Sequence, residues 1–133
     1  MANALYVSYK NNALGTGTHV DLDADDMRLV ATDHTDVVPL PASMDALDDI
    51  SAGTVGTATL SGEAIASGAF DSTDPVFTAL TGDPFESLTL YKHTGTPSTS
   101  LLVAFYDTAT GLPFTPSGGD VTVVVHASGY FSL

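Results

Sequence analysis

The sequence predicts a mainly β protein: a single-domain antiparallel β-sandwich with one short helix. Three observations carry that expectation. Apolar runs rich in β-branched and aromatic residues recur, each only about 4–6 residues long, as strands are. In the second half Pro and Gly punctuate the chain every ~8–12 residues, the spacing of a sandwich or barrel. No segment sustains a helical period beyond about 8 residues, so a helix-rich fold does not fit.

Taken in order, Ala4–Tyr9 reads as a first strand or an extended arm, with 1–10 as a candidate N-terminal arm. Asn11–Gly17 is a loop, and His19–Asp23 a short strand with Val20 and Leu22 inward. Asp25-Asp26 is a turn and Met27–Ala31 a further strand. Thr32–Pro41 is irregular, with Pro39 and Pro41 bracketing Leu40. Ser43–Ile50 is the best helix: Ser43 can cap it, and Met44, Leu47 and Ile50 share a face. Thr54–Leu60 alternates as a strand does, and Glu63–Ala69 is a weaker one. Pro75–Leu80 belongs at an edge, because proline cannot donate to a central ladder. Leu88–Tyr91, Leu101–Tyr106 and Val121–Val125 then form a meander. The middle run is apolar on both faces, which places it inside its sheet and covered on both sides.

Size and charge bound what such a domain does. At 133 residues and 13.6 kDa, one core forms and about 6,600 Å² stays exposed of the roughly 20,000 Å² of the unfolded chain. Sixteen acids (14 Asp, 2 Glu) face three basic residues, Lys10, Arg28 and Lys92, for a formal net charge of −13. Three scattered cations cannot build a patch for a phosphate backbone or an anionic bilayer, so no nucleic acid and no membrane is expected as a partner. No apolar run is long enough to span a bilayer, and no secretory leader is read at the start. Without cysteine, disulfides and thiolate metal sites are excluded. The acidic balance suits a soluble particle surface that repels its neighbours, or a high-salt environment.

The chemistry-bearing patterns are weak. Asp21, Asp23, Asp25 and Asp26 have the opening spacing of a calcium loop. The sixth and twelfth positions are Asp26 and Thr32 instead of Gly and Glu, so a solvated acidic edge is the better reading. Asp33 and Asp36 leave room for a looser divalent site. His19, His34, His93 and His126 follow no zinc spacing. There is no G-x-S-x-G elbow, and Gly118-Gly119 lacks the lysine of a phosphate loop. No enzyme, catalytic residue, metal or cofactor is expected. Protein contact is the remaining role, and apolar residues in two segments are its candidates: Leu5, Tyr6 and Tyr9 beside the N-terminus, and Leu112, Pro113, Phe114 and Pro116 in a proline-stiffened loop.

Four segments carry a resemblance. Met1–Tyr6 (MANALY), Leu90–Gly95 (LYKHTG), Asp107–Asp120 (DTATGLPFTPSGGD) and the closing Phe131–Leu133 resemble a family of small tailed-bacteriophage virion proteins. The family's Trp-Asp-Asn-Gly element has no counterpart in Val124–Gly129. The resemblance implies a virion structural component. Size, one β domain and the charge add the expectation of a capsid decoration (cement) protein on the head exterior, assembled in the host cytoplasm. Its expected partner is the major capsid protein, with a homo-oligomer, a trimer for choice, multiplying weak contacts. A tail, neck or fibre component is the alternative. A carbohydrate- or metal-binding module using Tyr91, Tyr106 or Asp21–Asp26 is a third reading.

Overall fold

A computed structural model of the chain describes residues 2–15 and 17–133. The elements run β1 (Ala4–Leu5), α1 (Val7–Ala13), β2 (Met27–Thr32), β3 (Thr54–Thr59), β4 (Ala64–Ala66), β5 (Ala69–Asp71), β6 (Val76–Phe77), β7 (Ser87–Lys92), β8 (Leu102–Tyr106), β9 (Val121–Thr122) and β10 (Phe131–Ser132). One antiparallel sheet has the order β1-β8-β7-β2-β3. A three-stranded sheet, β10-β5-β4, and a two-stranded one, β6-β9, complete a mainly β, sandwich-like domain with one short helix, as the sequence predicts. The exposed surface is 6556 Å², what a single compact domain of this mass keeps.

Register explains the core. Phe105, Thr89, Val30 and Thr57 stand opposite one another and share one face of the large sheet, while Ala104, Leu90, Leu29 and Ala58 share the other. The first face is covered by Tyr6, whose hydroxyl meets Thr89 Oγ1 at 3.2 Å, and by His34, stacked on Phe105 and bonded to Ser87 Oγ at 2.8 Å. The second is covered at β3 by Phe77 and Leu80, which approach Gly56 so closely that a side chain there would collide with Leu80. Leu102, Val103, Ala104 and Phe105 are all buried, which confirms that β8 is covered on both sides. Full coverage of two faces is why this strand reads as a continuous apolar run.

Several local expectations are corrected. The N-terminal segment is neither a long strand nor an arm. After two residues paired with β8 it turns into α1, held by Val7 N–H donating to Pro41 O (2.9 Å) and by buried Tyr9. Seven residues cannot sustain a helix alone, so packing forms it. His19–Asp23 is not a strand but leads into a turn closed by Asp25 N–H on Asp21 O, though Val20 and Leu22 are inward. Ser43–Ile50 is not a helix, and Ser43 caps nothing. Leu102 N–H donates to Asp45 O and Leu47 N–H to Ser100 O, so strand-like pairing with 100–102 consumes the groups a helix needs. Only single 3₁₀ turns, Leu47–Asp49 and Ser51–Gly53, follow. Glu63–Ala69 is a hairpin instead of one strand, because Ser67 and Gly68 take positive φ (52° and 79°) between β4 and β5. The third run of the meander, finally, does not join β8: β9 pairs with β6, and β1 takes the place beside β8.

Candidate contact surface

Of the two segments expected to make contacts, the first is built into the large sheet and the second follows the strand it pairs with. β1 pairs with β8, placing Ala4 opposite Phe105 and Leu5 opposite Ala104. Just before β1, Asn3 reaches the residues that follow β8. Its Oδ1 accepts from the N–H groups of Asp107 and Thr108, both at 2.9 Å, and its Nδ2 donates to Thr108 O at 3.1 Å. Asn3 thereby ties the chain start to the head of the loop that carries Leu112–Pro116.

Within that loop Phe114 is not free. Phe85 and Phe114 exchange both backbone hydrogen bonds at 3.0 Å, and their rings lie 5.6 Å apart. Leu112, Phe114 and Pro116 are half-buried, and Pro113 is exposed. Leu5 is half-buried and packs against the fold's own core. Tyr6 and Tyr9 do not fit the expectation of exposed anchors: they are 0% and 5% exposed. The large sheet needs a cover on its first face, and Tyr6 supplies it. Burial pushes the Tyr6 hydroxyl up to about 12 despite the Thr89 hydrogen bond. Tyr9 is fixed edge-on to Phe131, which packs on Phe70 and so joins α1 to the C-terminal strand.

The Asp-rich segment is occupied by internal bonds. Asp21 N–H donates to Asp25 Oδ2 (2.8 Å), Asp25 pairs with Lys92 (3.2 Å), and Asp26 with Arg28 (2.9 Å). The Arg28 guanidinium holds the Asp26 carboxyl below its usual range, and the Asp23 hydrogen bond followed by desolvation raises that of Asp21. Asp33, Asp36 and Asp83 each bring one carboxylate oxygen within 4.8 Å of the others. Asp33 is buried there and accepts from Thr35 N–H at 2.8 Å, so part of this gathering is a turn device. A hollow of about 290 Å³, mostly apolar, lies between α1 and the small sheet, lined among others by Tyr9, His19, Val20, Ile65, Phe70 and Phe131. Among the described residues no helix is long and apolar enough to cross a membrane.

Exposed apolar side chains lie elsewhere than expected: Leu14 is 84% exposed, Val124 79%, Leu133 75% and Ile65 50%. For Val124 the signal was present in the sequence. In VTVVVH alternate residues face opposite ways, and Val121 and Val123 pack inward, which turns Thr122 and Val124 outward. Compared with known proteins, the chain matches no family model and no curated protein.

Proposed function

We propose that this chain is a structural protein of a tailed-phage virion, a capsid decoration protein that binds outside the head and bridges major capsid subunits. The observation that carries this reading is the motif resemblance over Met1–Tyr6, Leu90–Gly95, Asp107–Asp120 and Phe131–Leu133. The geometry supports treating these segments as one unit. Asn3 of the first bonds to Asp107 and Thr108 of the third, and Leu90 of the second stands opposite Ala104 on the strand that leads into it. A small β domain with a net charge of −13 suits an exterior site, where it repels its own kind in solution and is held by protein contacts. No catalytic role or cofactor is part of the proposal.

Cryo-electron microscopy of the purified virion tests it. Density for this domain over every capsomer, or every local three-fold, is the expected result. Density confined to the portal vertex or tail replaces the decoration role with that of a tail, neck or fibre component. Absence from the particle overturns the virion reading.

A further inference from the structure

We draw no further inference here: the strongest candidate, the mostly apolar hollow between α1 and the row of Ile65, Phe70 and Phe131 across the small sheet, carries none, because nothing in the structure shows what covers it.

Discussion

Asn3 and Thr108 clasp each other across the chain: Asn3 Oδ1 accepts the Thr108 amide at 2.9 Å while Asn3 Nδ2 donates to the Thr108 carbonyl at 3.1 Å. A side-chain amide here imitates a neighbouring strand beyond the end of the β1–β8 pairing. The carboxamide presents its acceptor oxygen and its donor nitrogen side by side in one plane, as a backbone amide pair does. Asn3→Ala is expected to cost about 1 kcal/mol in urea unfolding and to speed exchange of the Thr108 amide. An unchanged Thr108 exchange rate would show that the clasp does not order the loop.

Tyr6 contributes a second dependence. Its hydroxyl is buried against the large sheet, bonded to buried Thr89. Tyr6→Phe leaves Thr89 Oγ1 without that partner and is expected to destabilise by about 1–3 kcal/mol. Truncating Met1–Tyr9 removes Tyr6 and Tyr9 from the core altogether. Such a deletion is expected to unfold the domain, so surface substitutions are the proper probes of contact.

Buried phenols also set a pH limit. Burial raises Tyr6 and Tyr130 to about 12, and raises Tyr106 as well, against about 10 in an unfolded chain. A raised folded-state value means the neutral phenol is favoured by folding. The corresponding stability is complete below about pH 10 and is lost as pH rises toward 12. Tyrosinate absorbance should therefore rise together with loss of β-sheet circular dichroism. Ionisation of all five tyrosines near pH 10 with the fold intact would contradict this burial.

Gly129 is the most demanding glycine at the C-terminal end. Its φ is +88°, and a Cβ there would collide with the Phe70 carbonyl oxygen. That carbonyl accepts from the neighbouring Tyr130 N–H at 2.7 Å, so it cannot move aside without losing the bond. Gly129→Ala is expected to cost more than about 2 kcal/mol and to free β10 first. A melting temperature equal to the parent's would refute the strain.

Phe114 connects stability with the proposed function. Losing its ring contact with Phe85 through Phe114→Ala is expected to cost about 2 kcal/mol, below the range for a fully buried phenylalanine. Phe114→Asp in a folded variant is expected to lower occupancy on purified capsids. Full occupancy would move the contact surface away from Leu112–Pro116.

How much of this was legible in the chain depends on range. Met27–Ala31, Thr54–Leu60, Leu88–Tyr91 and Leu101–Tyr106 announce β2, β3, β7 and β8 through their own side chains, because β-branched and aromatic residues at a period of two fit a pleated, buried surface. Composition likewise determined the net charge and the absence of thiol chemistry. Tertiary structure decided which edges meet. Val121–Val125 looks locally like a partner for Leu101–Tyr106, but β1 holds that edge, and the displaced run pairs with Asp74–Phe77 and leaves Thr122 and Val124 open. It also decided that Tyr6 and Tyr9 are core, that Asp45–Leu47 bonds to 100–102 instead of coiling, and that Asn3 finds Thr108. Each of these outcomes is a contest between distant segments for the same hydrogen-bonding groups or the same apolar face. Local pattern states what a segment can pair with, and only the assembled fold settles what is left for it to pair with.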